Sequence, residues 1–170
     1  MDAIVAVYAD WGIGSGGTQP VVLKADRVHF RELTRGAAVI VGRRTLGDFP
    51  GGKPLKGRDN LVVTRQALEI PGARVVHSTE EALDAAAEYD RCLVIGGASI
   101  YQQFFPHTDR VFITKIDLTP HSDSYFPNLD DDPAWVCTAC GPWQEEDGIR
   151  YQFCTYERIR NSEFGIRNSE

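Results

Sequence analysis

Five short, unbroken apolar runs constrain this chain more than anything else in it. Ala3-Ile4-Val5-Ala6-Val7, Ala37-Ala38-Val39-Ile40-Val41, Leu61-Val62-Val63, Cys92-Leu93-Val94-Ile95 and Val111-Phe112-Ile113 are too short for buried helices and show no polar–apolar alternation. Such runs are strands covered on both faces, as in a parallel sheet packed between helices. Helical signals fall between them. The stretch from Leu23 to Leu33 carries apolar residues at helical spacing and is stopped by Gly36. Ser78-Thr79-Glu80-Glu81 reads as a capping box opening a helix to about Tyr89, and another helix starts at Ala98. A short helix is expected from Arg43 and a short strand around Arg74-Val75-Val76, while Ile149 to Glu157 alternates like an exposed antiparallel strand. The order predicts a three-layer α/β domain with a mixed sheet and no internal linker.

Composition narrows the function. With 170 residues, 42% hydrophobic and 25% charged, the chain can bury a full core without metal or disulfide staples. No apolar run approaches the ~18 residues of a membrane span, and the first residues lack the basic region of a signal peptide. A net charge of −6 argues against a nucleic-acid partner. Four unevenly spaced cysteines suggest free thiols in a reducing cytoplasm rather than a disulfide framework. Near the end, Ile159-Arg160-Asn161-Ser162-Glu163 recurs at Ile166 to Glu170. Codons for this repeat can be written as closely spaced copies of one cloning site. Residues 160–170 are therefore expected to be a vector-derived or disordered tail, with residues 1–159 forming a single domain.

Gly12-Ile13-Gly14-Ser15-Gly16-Gly17 matches a dinucleotide fingerprint only formally. Thr18-Gln19-Pro20 and two valines follow instead of a helix, and the second strand ends in Val41-Gly42-Arg43 rather than an acid. The glycines suit a loop that passes close to a ligand. Asp26 is more informative. It shares one helix face with Leu23, Arg27, Phe30 and Leu33, where an acid is either favoured by the helix dipole or kept for a ligand. In an apolar pocket a carboxylate can grip an N–C–N edge through two parallel hydrogen bonds. Gly96-Gly97 between a buried strand and a helix is either a tight turn or a phosphate-binding turn. Between Arg43 and Arg65, six basic residues face two acids, a local +4 that is either a solvated face or a site for a small anion. Cys137-Thr138-Ala139-Cys140 has redox or zinc spacing without a second Cys/His pair, and His29, His77, His107 and His121 show no ligand spacing, so no metal is expected.

In this order, IVAVYADWGIG, LKADRVHF, VIVGRRT, GRDNLVVTR, VIGGASIY, ITKID and SDSYFP resemble the dihydrofolate reductase family across about residues 2–158. The resemblance implies a mostly parallel eight-stranded sheet with an antiparallel C-terminal strand and flanking helices. It also implies NADPH-dependent reduction of 7,8-dihydrofolate to 5,6,7,8-tetrahydrofolate by a cytoplasmic monomer. Asp26, supported by Thr114, would be the catalytic acid that promotes protonation at pterin N5 through water. Ile4, Phe30, Phe49, Leu55 and Ile95 would wall the pterin and benzoyl rings, Arg58 would pair with the glutamate carboxylate, and Arg27 and Lys53 would join the substrate site. Ala6, Ile13 and Gly14 would border the nicotinamide, with Ser15, Gly16, Gly17 and Thr18 in the closing loop. Gly42, Arg43, Arg44, Thr45, Thr64, Arg65 and His77 would face the adenosine and phosphates. Gly96, Gly97, Ala98, Ser99, Ile100 and Tyr101 would form the pyrophosphate turn, with a cis peptide at the two glycines. Arg43 and Arg65 favour NADPH over NADH, because a 2′-phosphate needs positive partners.

The chain departs from the family where it has Val21 in place of a frequent Trp, Arg27 at a usually apolar position, and a long loop GDFPGGKPLKGR. Two other readings stay open at this level. One is a riboflavin-pathway-type pyrimidine reductase on the same fold; the other is a non-catalytic pterin- or nucleotide-binding module.

Overall fold

The computed structural model describes residues 1–17 and 19–159. The chain runs β1 (Asp2–Tyr8), β2 (Gly12–Gly14), α1 (Lys24–Thr34), β3 (Ala38–Gly42), α2 (Arg43–Gly47), β4 (Asp59–Val63) and β5 (Ala73–Val76). It continues through α3 (Thr79–Ala86), β6 (Cys92–Gly96), α4 (Ala98–Phe104), β7 (Arg110–Ile116), β8 (Ser124–Tyr125), β9 (Trp135–Cys140), β10 (Gln144–Glu146) and β11 (Ile149–Arg158).

Six strands lie parallel in the order β7-β1-β6-β3-β4-β5, and β11 joins β7 antiparallel. Both β9 and β10 pair antiparallel with β11, β10 against Ile149–Tyr151 and β9 against Cys154–Arg158. The two therefore share one edge position, broken between Cys140 and Gln144, and the sheet is eight positions wide. β2 and β8 form a separate two-stranded ribbon.

The apolar runs are buried as their composition requires: Val39, Ile40, Val41, Leu61 and Val62 have no exposed surface. Successive residues point to opposite faces. Val5, Ile40, Leu61, Val94 and Ile113 pack with Ala82 and Ala85 of α3 and with Ile100 and Phe104 of α4. Ile4, Val39, Val41, Val62 and Ile95 pack with Phe30 and Leu33 of α1 and Leu46 of α2. Each fully buried aliphatic side chain contributes roughly 1.5–3 kcal/mol, so both faces of every central strand are committed.

β6 returns to pair between β1 and β3, and β7 then pairs on the far side of β1. The chain reverses its direction of winding there, and open α/β sheets bind ligands at the carboxyl ends of strands beside such a reversal. Ser78 caps α3 by accepting from the Glu81 N–H at 3.0 Å, as the capping box predicts, although α3 ends at Ala86 rather than Tyr89. β2, β8 and β10 are short and carry no apolar run that announces them, and β9, though it opens with Trp135-Val136-Cys137, is exposed beyond Trp135. Among the described residues no helix is long and apolar enough to cross a membrane.

Candidate active site

Leu23 precedes α1 and has no side-chain oxygen to cap it. The Glu146 carboxylate of β10 does so from across the fold, accepting from the Lys24 N–H at 2.7 Å and the Ala25 N–H at 2.9 Å. This cap satisfies two of the free donors of the first turn and fixes the start of α1 against the sheet. Asp26 follows in that turn. Its Oδ1 accepts from the Thr114 hydroxyl at 2.6 Å, and Thr114, in β7, is 1% exposed. In register Thr114 lies between Ala6 and Phe153, so it points to the α1 face of the sheet.

Burial pushes the Asp26 carboxyl above the ordinary carboxylate range. The Thr114 hydrogen bond and His29 pull it back, and Glu146 adds to the rise. Burial also lowers the His29 imidazole, which stacks on Phe153 with ring centroids 3.9 Å apart. Asp26 is thus a carboxyl whose charged form is disfavoured by burial and steadied by the Thr114 hydroxyl.

Across the sheet from Asp26, the glycines open the floor. A Cβ at Gly42 would come within 2.9 Å of the Ile100 side chain, and one at Gly97 within 2.9 Å of the Thr45 hydroxyl. Gly96 has φ 118°, and the Gly96–Gly97 peptide is cis, as the resemblance implies. Tyr101 packs under Gly96 and donates from its hydroxyl to the Ile4 carbonyl at 2.6 Å, tying α4 to β1.

These elements enclose a cleft of about 1370 Å³. Of the sequence-predicted residues, Ile4, Asp26, Arg27, Phe30, Phe49 and Ile95 line it from the substrate set. Ala6, Ile13, Gly14, Gly16, Gly17, Gly42, Arg43, Arg44, Thr45 and Gly96 to Tyr101 line it from the cofactor set. Thr114 reaches it through Asp26.

Others lie outside this lining. Leu55 packs beside Phe49 and Phe30 in the core of the α1 face. Arg58 donates from Nε to the Thr34 hydroxyl at 3.1 Å, from Nη1 to the Lys56 carbonyl at 2.7 Å and from Nη2 to the Arg31 carbonyl at 3.4 Å. The guanidinium is therefore docked on the carbonyl end of α1. Burial and the neighbouring Arg35 and Arg31 lower its pKa. Lys53 is exposed beyond the turn Pro50–Gly52. Thr64 and His77 follow the carboxyl ends of β4 and β5, beside Arg43 at the end of β3, and form a ledge at these strand ends, with Arg65 next along the chain. Arg43 on that ledge donates to Gln66, and His77 Nδ1 lies 3.5 Å from Glu81. Ser15 follows β2 outside the lining, and Thr18 lies outside the described residues.

Three residues were given no role from the sequence, although Asp123 and Asn60 lie within the motifs SDSYFP and GRDNLVVTR. Asp123 accepts from the Gly16 N–H at 2.9 Å, its own N–H donates to the Gly14 carbonyl at 2.9 Å, and it lines the cleft with Ser124. Only the pairing of β2 with β8 brings it there. Asn60, 2% exposed, binds the Leu55 N–H and the Leu55 and Arg58 carbonyls, shaping the loop that presents both side chains. Glu146 is the third, revealed only by the tertiary placement of β10.

A family model described as dihydrofolate reductase matches residues 1–158. The chain belongs to the dihydrofolate reductase family. It is 35% identical over 165 residues to the dihydrofolate reductase of Bacillus subtilis (strain 168), covering 95% of this chain and 96% of that one. It is 38% identical over 152 residues to the dihydrofolate reductase of Mycobacterium tuberculosis (strain ATCC 25618 / H37Rv), covering 86% of this chain and 90% of the relative. Among solved structures, the dihydrofolate reductase of Enterococcus faecalis complexed with NADP(H) and RAB-propyl superposes with a TM-score of 0.84 at 30% identity, covering 94% and 96% of the two chains. The resemblance to dihydrofolate reductases thus extends from motifs to the whole fold, and the eight-position mixed sheet is that of the family.

Proposed function

We propose that this protein reduces 7,8-dihydrofolate to 5,6,7,8-tetrahydrofolate with NADPH, with Asp26 as the acid that serves protonation at pterin N5. The observation that carries this reading is the half-buried Asp26, hydrogen-bonded to the buried Thr114 and set in the wall of a cleft whose opposite half is made of glycine turns and arginines. The residues present fit a phosphorylated dinucleotide. Gly42, Gly96 and Gly97 leave backbone where a Cβ would meet Ile100, Tyr101 or Thr45, and Arg43 and Arg44 supply positive charge beside them. NADPH, when bound, supplies the hydride that is delivered to pterin C6.

The chain's own groups do the rest. Ionised Asp26 accepts two parallel N–H bonds from the amidine-like edge of the pterin, which sets the ring's orientation and biases its charge. A raised pKa lets the same carboxyl keep its proton to higher pH than an ordinary carboxylate does, and water relays the proton to N5. Ile4, Phe30, Phe49 and Ile95 hold the rings in apolar contact and keep them dry, so that the reacting atoms stay close. Leu55 packs against the same apolar cluster as Phe30 and Phe49 and extends this wall. Arg58, pre-positioned by three hydrogen bonds, offers its remaining N–H groups to the glutamate α-carboxylate, with Arg27 and Lys53 adding positive charge. Ile13 and Gly14 abut the nicotinamide with Ala6; Ser15, Gly16, Gly17 and Thr18 form the cover; Thr64, Arg65 and His77 take the adenosine end.

The same reading makes the protein a cytoplasmic monomer with no nucleic-acid partner, residues 1–159 a single domain and residues 160–170 a vector-derived tail. Incubation with NADPH and either dihydrofolate or a ribosylamino-pyrimidine phosphate tests the substrate. NADPH absorbance is expected to fall with dihydrofolate alone. A fall with the pyrimidine alone would point to the riboflavin-type reductase, and no fall with either, in protein that binds NADPH, to a binding module.

A further inference from the structure

The opposite face of the sheet carries a cluster of three thiols that the reductase reaction does not use. A strand places residues three apart on opposite faces, so Cys137 and Cys140 of β9 would normally point away from each other. The pairing of β9 with β11 prevents this. Cys140 faces Cys154 and Ala139 faces Thr155, but Cys137 faces Tyr156, so the register shifts and Thr138 is the extra residue of a bulge. The bulge turns Cys137 to the side of Cys140, and Cys154, directly opposite Cys140, completes a triangle. The three Sγ atoms lie within 4.8 Å of one another, with Cys137 and Cys140 3.3 Å apart. Cys137 and Cys140 are exposed, whereas Cys154 is buried at 4% exposure. The site is thus open to an entering ion and closed beneath.

We propose that Cys137, Cys140 and Cys154 form a binding site for one soft, thiolate-seeking d10 metal ion of the zinc and cadmium type. Zinc–sulfur bonds of about 2.3 Å place the sulfurs of a tetrahedral site about 3.8 Å apart. The Cys137–Cys140 separation of 3.3 Å lies just under that value and no pair is more than 4.8 Å apart, so closure asks only for side-chain adjustment. Each thiol releases its proton to solvent as its sulfur donates to the ion, and water fills the fourth position on the exposed side. Burial and the facing Cys140 push the Cys154 thiol up to about 12. Hard cations that bind oxygen are poor competitors for such sulfurs. Cys154 lies in the core cluster with Val5, Ile113 and Tyr156, whereas Asp26, Thr114 and Phe153 occupy the other face. Binding is therefore independent of the folate reading.

The test is titration of the full-length, fully reduced protein with Cd²⁺, followed by thiolate-to-metal charge-transfer absorption. Saturation at one equivalent with the intensity of three thiolates is expected, together with retention of the band in C92S. Loss of one ligand exceeds the roughly 10–100-fold cost of losing an outer-shell partner, so C137S, C140S and C154S are each expected to weaken binding more than tenfold. C154A serves if serine disturbs the buried position, and NADPH binding checks the fold. A band unchanged in both Cys154 variants would reduce the site to a two-thiol surface chelate and overturn the proposal. So would the absence of saturable absorption.

Discussion

Among single residues, Asp26 and the Thr114 hydroxyl that holds it carry the proposed chemistry. The folded protein binds the Asp26 proton more tightly than the unfolded chain does, because burial raises the carboxyl. The sign of the linkage follows: stability falls as pH rises from the ordinary carboxylate value through the raised one, and the loss is complete above it. Asp26→Asn cannot ionise. It is expected to be more stable than wild type at neutral pH and no more stable below the ordinary carboxylate range, as urea titrations at the two pH values would read. Thr114→Val keeps the shape of a fully buried side chain and removes the one donor to Oδ1. A hydrogen bond to a charged group contributes about 1.5–3 kcal/mol, so its loss disfavours the carboxylate further. The pH at which kcat falls on the alkaline side is expected to move upward, and an unmoved profile would separate Thr114 from the acid. In the sequence, Asp26 was legible as an acid on an apolar helix face, but dipole and ligand readings could not be told apart. Thr114 adds the deciding fact, and it stands 88 residues away along the chain.

Among the elements, α1 is held at both ends by groups from elsewhere. Glu146 caps its first turn and Arg58 docks on its last. Replacing a cap costs about 0.5–2 kcal/mol. Glu146→Ala is therefore expected to lose about 1 kcal/mol in denaturant titration, and to raise KM for dihydrofolate through misplacement of Asp26 while leaving NADPH affinity unchanged. Arg58→Leu is expected to raise KM for dihydrofolate with little change in kcat, since the glutamate tail is far from the reacting atoms. Equal loss in kcat would contradict that role. The central strands were legible because each is apolar throughout, and α3 because Ser78 and Glu81 spell out its cap. β2, β8, β9 and β10 were not, because their residues are few, polar or exposed and take their conformation from the strand beside them. The bulge at Thr138 belongs to this class, which is why Cys137 and Cys140 read as an incomplete pair.

Across the whole molecule, the site exists because the sheet reverses its winding beside β1, bringing the ends of β1, β3 and β6 to one cleft. The order of motifs in the sequence indicated that architecture and grouped Arg43, Thr64 and His77 on the cofactor side; the structure adds the register of three parallel strands that brings them to neighbouring strand ends. A ligand that binds only the folded state stabilises it by about 2.7 kcal/mol at one hundred times its Kd. NADPH at such a concentration is accordingly expected to raise Tm, and Asp26→Asn should respond by the same amount, since Asp26 lies in the substrate half.

In the proposed mechanism Asp26 serves the chemistry and not the cofactor. The most direct test is NADPH oxidation with saturating dihydrofolate by wild type and Asp26→Asn, with the NADPH Kd of each measured alongside. A positioned proton donor contributes roughly 10²–10⁴-fold. The predicted result is a fall of about that size in kcat at neutral pH with an unchanged NADPH Kd. Wild-type turnover in the variant, or a parallel loss of NADPH binding, would contradict it.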